Sequence, residues 1–398
     1  MRPDLDGIEK KLDLNSLKKY LLLSKPIPES LSTIAPGVIV GERNYPRISI
    51  GVVSPVRIID DALDMPKEWV KRKYPLLRIA TIRASLIDSF SRTDIQARNR
   101  LIEKMREIAL SSKPVDIDIE FKDKPVYKPI LHIGVPPMGG SARIKKLEVS
   151  NPRVPRIVER IVSDTDIRAE EAVIDLWRKG IDEYYSYKLF SLGLLGRSSS
   201  RRLVPTRWSI TAIDDLLAKN LLREIRSFEW VSDYKVYTGG ILGNYYIALL
   251  LPSPWSYELF ESYLSSDASR RGITDYVTDR EGYFSRTSYA SNTAGGYYAA
   301  RLAVLEKLRA MKRQAAVLLI RIITPAYIFP LGVWVVREAV RKCLSSKPQV
   351  FTSLKEAISY MERHARNNYG ASIMNIIRDS KIIRDRQVGL RNYLNIKK

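Results

Sequence analysis

An apolar segment at residues 315–336 sets the first limit on what this chain can fold into. The segment, AAVLLIRIITPAYIFPLGVWVV, is as long as the roughly 20 residues that cross a bilayer as a helix. However, Arg321 lies in its interior, and Pro325 and Pro330 would each interrupt a helix and leave backbone groups without partners in lipid. The sequence therefore predicts a buried part of a globular protein and no membrane partner.

The composition favours a globular protein that binds a polyanion. Of the 398 residues, 45% are hydrophobic and 28% are charged, which is enough apolar material for sizeable cores. The chain carries 66 Lys and Arg against 44 Asp and Glu, a formal net charge of +22, and residues 301–398 hold 20 of the basic and 6 of the acidic residues. This excess indicates nucleic acid as a partner, because Lys and Arg that replace counterions along phosphates gain affinity. Solvated helix faces are the alternative explanation.

Few side chains are suited to soft metals or disulfides. Cys343 is the one cysteine, and His132 and His364 are the two histidines, which excludes a disulfide framework and a Cys/His zinc site. Oxygen-ligated Mg²⁺ or Mn²⁺ stays possible, and no cofactor is certain. The N-terminal residues are charged from the start and lack an apolar signal-peptide core, so we expect an intracellular protein.

Local patterns predict an α+β fold with an N-terminal β-rich portion and a C-terminal mainly helical portion. Apolar and acidic residues alternate at 115–121, as in a strand with one wet face, and β-branched runs at 37–41 and 48–53 indicate further strands. Helical spacing at 297–322 predicts one long helix that ends before Pro325. The expected division is a β-rich domain at 1–150, an α+β domain with an arginine-rich loop at 151–345, and a basic helical C-terminal segment at 346–398.

The segment at residues 193–215 concentrates arginine, serine and tryptophan in the sequence GLLGRSSSRRLVPTRWSITAIDD. Arginine forks bind phosphate oxygens bidentately, hydroxyl groups add donors, and an indole ring can stack on a base or a sugar. The competing interpretation is that the arginines pair with internal carboxylates while the tryptophan packs in the core. The predicted DNA contacts are Arg197, Arg201, Arg202, Arg207 and Trp208.

Two acidic segments supply candidate ligands for a divalent metal. Carboxylate clusters hold the metal ions used for phosphodiester cleavage, provided that the segments meet in space. Helix capping is the alternative, because Thr211 and Asp214 fit a capping box at the start of a helix that we expect to follow Thr211. Metal binding would make the protein a metal-dependent DNA-processing enzyme such as a nuclease, with the candidate ligands Asp164, Asp166, Asp214 and Asp215.

Several longer blocks of the sequence resemble the archaeal Nre DNA repair family. They are the 193–215 segment, DTDIRAEEAV at 164–173, GGYYAAR at 295–301, RQAA at 313–316 and PLGVWVVRE at 330–338. The resemblance runs from about residue 36 to residue 338. It implies a cytoplasmic DNA repair role together with the replicative sliding clamp, PCNA, and no settled catalytic activity.

The resemblance also indicates how such a protein would reach its partners. Family members with an N-terminal Cys-rich zinc finger differ from this chain, which has no cysteine before Cys343, so a finger-based DNA contact is not expected. Residues 387–394, QVGLRNYL, look like the family's clamp-binding box, a PIP-like motif, with leucine where a second aromatic residue is usual. A short turn would gather the apolar members into a plug for a partner's pocket, and a terminal helix docked on its own domain is the alternative. The predicted clamp contacts are Gln387, Leu390, Tyr393 and Leu394.

Overall fold

The computed structural model shows an α+β protein, as the sequence predicts. The chain divides into two compact units. The structure describes residues 28–130, 132, 134–265 and 268–386, with the backbone alone for 126–129. Within these ranges, the N-terminal unit comprises residues 28–217 and 329–331, and the C-terminal unit comprises residues 218–328 and 332–386. The domain bounds at residues 150 and 345 stay a prediction.

The N-terminal unit is built on a seven-stranded mixed sheet. Its strands are β1 (Ser30–Ala35), β2 (Gly37–Val40), β3 (Arg47–Pro55), β4 (Leu86–Asp94), β5 (Val115–Phe121), β6 (Val126–Ile130) and β7 (Met138–Ser150). Their order is β1-β5-β7-β4-β3-β2, and β6 also pairs with β7. The β4–β7 pair is parallel, and the other pairs are antiparallel.

Helices of the N-terminal unit lie between and after these strands in the chain. They are α1 (Pro66–Lys71), α2 (Leu76–Ala84), α3 (Arg100–Leu110), α4 (Arg156–Ser163), α5 (Ala169–Arg178) and α6 (Glu183–Ser191), followed by a 3-10 turn (Ser198–Ser200) and α7 (Thr206–Ile225), whose residues from 218 on belong to the C-terminal unit. Asn99 caps α3 by accepting from the N–H of Ile102 at 3.0 Å, and Asp182 caps α6 by accepting from the N–H of Tyr185 at 2.9 Å. Residues 192–205, between α6 and α7, are called the arginine loop below.

The strand predicted from alternation is confirmed as β5. Val115, Ile117 and Ile119 are buried, whereas Asp116 and Asp118 are exposed. The predicted strands near the N-terminus are also confirmed, as β2 and β3. These elements were visible in the sequence because each has a buried face or a turn signal within its own residues.

The C-terminal unit contains a six-stranded mixed sheet with the order β11-β10-β12-β9-β8-β13. The strands are β8 (Tyr234–Ile241), β9 (Asn244–Leu251), β10 (Ser256–Tyr263), β11 (Tyr276–Glu281), β12 (Ala316–Ile323) and β13 (Gln349–Phe351). The helices are α8 (Ala268–Arg271), α9 (Gly295–Met311), α10 (Trp334–Leu344), α11 (Leu354–Tyr369) and α12 (Met374–Asp379). The β10–β12 pair is parallel.

A hydrophobic core forms where α11 and α12 cover one face of this sheet. Met361 from α11 and Ile376 from α12 share a buried cluster with Leu318 and Ile320 of β12. Such burial contributes about 1.5–3 kcal/mol for each large apolar side chain. The helices therefore hold the sheet mainly through apolar contact.

The single long helix predicted at 297–322 is wrong. The helix α9 ends at Met311, because Lys312 takes a left-handed conformation with φ 50°, and the chain continues as the strand β12. All eight residues of β12 are buried, and the strand lies between β9 and β10 in the sheet. A strand that is buried on both faces has a continuous apolar sequence, which periodicity alone does not separate from a helix.

The arginine within β12 is accommodated by a buried ion pair. Arg321 donates through Nη1 to Glu261 Oε1 at 2.7 Å and through Nε to Asn244 Oδ1 at 3.1 Å. A buried charge needs such partners to offset its loss of hydration. Among the described residues, none of the helices combines the length and apolar character that crossing a bilayer requires.

Candidate nucleic-acid interface

The arginine loop is closed at its base by the ends of α6 and α7. The N–H of Val204 donates to the carbonyl oxygen of Ser191 at 2.9 Å, and Ser191 Oγ donates to the carbonyl oxygen of Val204 at 2.7 Å. Thr206, the first residue of α7, accepts through Oγ1 from the N–H of Val40 in β2 at 2.9 Å. These bonds hold both ends of the loop together beside the sheet.

Two glycines let the loop fold back at close range. Gly193 has φ 66°, and a Cβ atom there would lie 2.6 Å from the carbonyl oxygen of Arg202. Gly196 has φ 99°, and a Cβ atom there would lie 3.2 Å from the Cβ atom of Ala169, at the start of α5. Only glycine combines a left-handed backbone with such close approach.

Arg201 fastens the loop to the backbone around the end of α4. Its Nε atom donates to the carbonyl oxygen of Gly196 at 2.7 Å, Nη1 to that of Val162 at 2.8 Å, and Nη2 to that of Asp164 at 2.6 Å. Burial lowers the pKa of Arg201 from its ordinary value, and the charge of Arg106 lowers it further. An arginine side chain nevertheless stays protonated in proteins. Its N–H groups are therefore satisfied by carbonyl oxygens, while the nearby charge of Asp164 acts in the opposite direction and raises the pKa.

A pocket of about 450 Å³ opens beside the arginine loop, and it is called the arginine pocket below. Arg168, Arg197, Arg201 and Arg202 line it, and no Asp or Glu is among its lining residues. In the part of the chain that the structure describes, Arg168, Arg197 and Arg202 are exposed and no carboxylate forms an ion pair with them. The side chains that line the pocket thus carry positive charges and no negative charge.

Two aromatic side chains stand at the rim of the arginine pocket. The rings of Tyr45 and Trp208 are 5.1 Å apart between centroids, with an angle of 46° between their planes. Glu42 accepts from Trp208 Nε1 at 3.1 Å and forms an ion pair with Arg207 at 3.1 Å. Trp208 is 44% exposed, so it does not pack in the core. The fixed indole ring leaves aromatic surface open to a ligand.

The structure brings together most of the residues predicted to contact DNA. Arg197, Arg201, Arg202 and Trp208 line the arginine pocket, whereas Arg207 lies next to it and is paired with Glu42. The side-chain N–H groups of Arg201 donate to backbone carbonyl oxygens, so its role is to shape the pocket and to add positive potential. The assignment of these side chains as DNA contacts stays a prediction.

The helix expected to follow Thr211 begins five residues earlier, at Thr206. The carbonyl oxygen of Pro205 accepts from the N–H of Ser209 at 2.9 Å, which opens the helix at that point. Thr211 instead lies within the helix and donates to the carbonyl oxygen of Arg207 at 3.3 Å. The capping box is therefore wrong, because proline disfavours helical conformation in the residue before it and so moves the boundary to 205.

The carboxylates that were predicted as metal ligands lie in the turn before α5 and within α7. Asp164 accepts through Oδ1 from the N–H groups of Asp166 and Ile167, both at 3.0 Å, in a turn that precedes α5. Asp214 is buried in α7, and Asp215 is half-buried beside it. Within the described residues, no group of three or more His, Cys, Asp or Glu is placed to hold a metal ion. Metal binding by these carboxylates stays a prediction.

A larger concavity, of about 640 Å³, lies in the C-terminal unit. Its lining includes Arg280, Lys381 and Arg386, but also the carboxylates of Glu281 and Asp385. Charges of both signs make it a weaker candidate for polyphosphate than the arginine pocket, since nearby carboxylates repel phosphate.

Two family models match the chain and confirm the family relationship that the sequence blocks indicate. The model described as archaeal Nre, N-terminal, matches residues 17–268, and the model described as archaeal Nre, C-terminal, matches residues 281–393. The chain belongs to the archaeal Nre family. The arginine pocket lies entirely within the part of the chain that the N-terminal Nre model matches.

Individual Nre proteins match over most of their length. DNA repair protein NreB of Archaeoglobus fulgidus is 37% identical over 343 residues, which are 85% of this chain and 86% of that protein. DNA repair protein NreA of the same organism is 35% identical over 359 residues, 88% of this chain and 90% of that protein. NreA of Haloferax volcanii is 35% identical over 322 residues, 77% of this chain and 76% of that protein. No solved structure matches the chain significantly.

The predicted clamp contacts lie outside the described residues. Gln387, Leu390, Tyr393 and Leu394 follow the helical residues 381–386 directly in the sequence. The C-terminal Nre model extends to residue 393 and so includes most of this segment.

Sequence reasoning missed two side chains of the arginine pocket. Tyr45 comes from the turn between β2 and β3, and Arg168 precedes α5. Arg168 lies within a block already noted for its resemblance to Nre proteins, so a signal was present. Tyr45 had none, because only the folded sheet brings residue 45 to the loop.

We predict that Arg201→Ala loosens the arginine loop. The substitution removes three hydrogen bonds from a charged group, so the free energy of unfolding should fall by about 2 kcal/mol and amide hydrogen exchange within residues 193–204 should accelerate. Urea unfolding and hydrogen-exchange mass spectrometry measure the two effects. Arg202→Ala is the matched control, because it removes the same charge from an exposed site and should change stability by less than about 0.5 kcal/mol. Equal losses in both variants would contradict the anchoring role.

Proposed function

We propose that this Nre protein is a DNA repair protein that binds DNA through the arginine pocket and is recruited by the sliding clamp, PCNA, through its C-terminal tail. Its relatives are named as DNA repair proteins. The observation that carries the DNA-binding part is the group of four arginines around one pocket that no carboxylate lines. Such a protein would act in the cytoplasm, where archaeal DNA lies.

The arrangement suits phosphate as a ligand. Arg197 and Arg202 are exposed and keep their guanidinium forks for bidentate contact with phosphate oxygens. Arg201 contributes a fixed positive charge at the base of the loop. The formal net charge of +22 adds long-range attraction, which speeds the encounter with DNA.

We predict that the double variant Arg197→Ala/Arg202→Ala binds DNA more weakly and with a shallower salt dependence. Each lost phosphate contact should reduce the slope of log K against log salt by about 0.9 on duplex or about 0.7 on single strands. Fluorescence anisotropy of a labelled oligonucleotide over a salt series measures both quantities.

The matched control for this experiment is Arg178→Ala/Lys179→Ala. These two residues are exposed at the C-terminal end of α5, outside the arginine pocket, and the variant has the same net charge as the pocket variant. It should keep nearly the full salt slope of the unmodified protein. Identical slopes for the pocket variant and the unmodified protein would refute DNA binding at this site.

Recruitment by the clamp is supported by the C-terminal sequence. Leu390, Tyr393 and Leu394 supply apolar side chains spaced for a short turn, and Gln387 supplies the polar group that opens the motif. Tethering to a ring that encircles DNA raises the local concentration of a weak DNA binder. Modest affinity at the arginine pocket would then be enough for occupancy at repair sites.

We predict that removing residues 387–398 abolishes association with PCNA and leaves the thermal unfolding of the remaining protein unchanged. Co-elution with PCNA in size-exclusion chromatography measures the association. The variant Leu390→Ala/Tyr393→Ala should fail in the same way, whereas Lys397→Ala/Lys398→Ala should co-elute normally, because it changes charge but keeps the apolar plug. Undiminished co-elution of the truncated protein would rule the tail out as the clamp contact.

A further inference from the structure

The geometry of the arginine pocket points to an unpaired nucleotide as its ligand. We infer that the pocket takes a base together with its phosphate from single-stranded DNA or from a nucleotide displaced out of a duplex, in preference to fully paired DNA. This inference rests on the proposed function and narrows its substrate.

The shape of the site favours one nucleotide over a paired helix. A volume of about 450 Å³ falls in the range of pockets that enclose small ligands. Four arginines line this one half-open pocket beside the loop. A base within a duplex is covered by its neighbours on both faces, so it can enter such a recess only after it leaves the stack.

The rim of the pocket supplies a stacking surface for a base. Tyr45 is 43% exposed and Trp208 is 44% exposed, and their rings pack against each other at an angle of 46°. The bond from Trp208 Nε1 to Glu42 fixes the orientation of the indole ring before any ligand arrives. Aromatic side chains bind single strands of any sequence, because every base presents a π-face.

Phosphate and base recognition occur within one pocket. Arg197 and Arg202 offer donors to the phosphate, while Trp208 and Tyr45 offer faces to the base, and all four side chains line the same space. A double helix would present phosphates to the arginines but would leave the aromatic faces without partners. A nucleotide outside the stack satisfies both groups.

The pocket is preformed, which strengthens binding of a flexible strand. Arg201 and the closed base of the loop fix the positions of Arg197 and Arg202 along the backbone. Binding then requires ordering of the DNA strand but little ordering of the protein.

The test compares three DNAs of equal length at one salt concentration: a single strand, a fully paired duplex, and a duplex with one bulged nucleotide. We expect the single strand, the bulged duplex or both to bind at least about tenfold tighter than the paired duplex. Tighter binding of the bulged duplex identifies a displaced nucleotide as a source, and tighter binding of the single strand alone identifies a free strand. Either result supports the inference.

Substitutions at the rim link this preference to the pocket. Trp208→Leu should lower affinity for the preferred DNA by roughly 5- to 150-fold, the usual loss for one stacked base, and should thereby reduce the preference for that DNA over the paired duplex. Trp208→Phe should retain most of the affinity, because it keeps an aromatic face. Trp230→Leu is the control, since Trp230 is 52% exposed and lies outside the arginine pocket. Circular dichroism checks that each variant is folded.

Two outcomes would overturn the inference. One is equal affinity for all three DNAs, and the other is a preference that Trp208→Leu leaves intact. In both cases DNA binding through the arginines would still stand if Arg197→Ala/Arg202→Ala made the salt dependence shallower. If that double variant changed nothing, the proposed function itself would fail.

Discussion

The three hydrogen bonds that Arg201 donates to backbone carbonyls determine the geometry of the candidate site. Two of them join the arginine loop to Val162 and Asp164, which precede α5. The third, to Gly196, lies within the loop and helps to hold the folded-back path that Gly193 and Gly196 permit. Without this anchor, Arg197 and Arg202 would extend from a flexible connection, and ordering them would reduce any affinity for a ligand. Arg201 thus has a structural role, because it fixes the backbone positions of Arg197 and Arg202, whose side chains remain exposed.

The acceptors of the Arg201 hydrogen bonds explain why the arginine pocket keeps its positive charge. A carboxylate partner would cancel the charge of Arg201, whereas carbonyl oxygens satisfy its N–H groups and leave the net charge in place. The contrast with Arg321 in the C-terminal unit is direct, because that side chain pairs with Glu261 inside the core. An arginine that bonds to carbonyl oxygens cannot be distinguished in the sequence from one that pairs with a carboxylate. The structure separates them by their acceptors and by the pocket that only one kind lines.

The parts of the molecule that could be predicted are those whose sequence pattern lies within a few neighbouring residues. Strand β5 alternates within seven residues, and Arg197, Arg201 and Arg202 lie within six residues of one another, so both were visible in the sequence. Strand β12 was mistaken for a helix because burial on both faces removes alternation. Tyr45 was missed because it lies between β2 and β3, far from the arginine loop in the sequence. Its place in the pocket depends on how the whole sheet folds.

Photo-crosslinking tests the central claim most directly. A single-stranded oligonucleotide that carries 5-iododeoxyuridine forms covalent bonds with aromatic side chains that stack on the modified base, and mass spectrometry of the digested protein identifies them. We expect crosslinks to the peptides that contain Tyr45 and Trp208. Crosslinks confined to other peptides, such as those of the basic residues 301–398, would contradict the account.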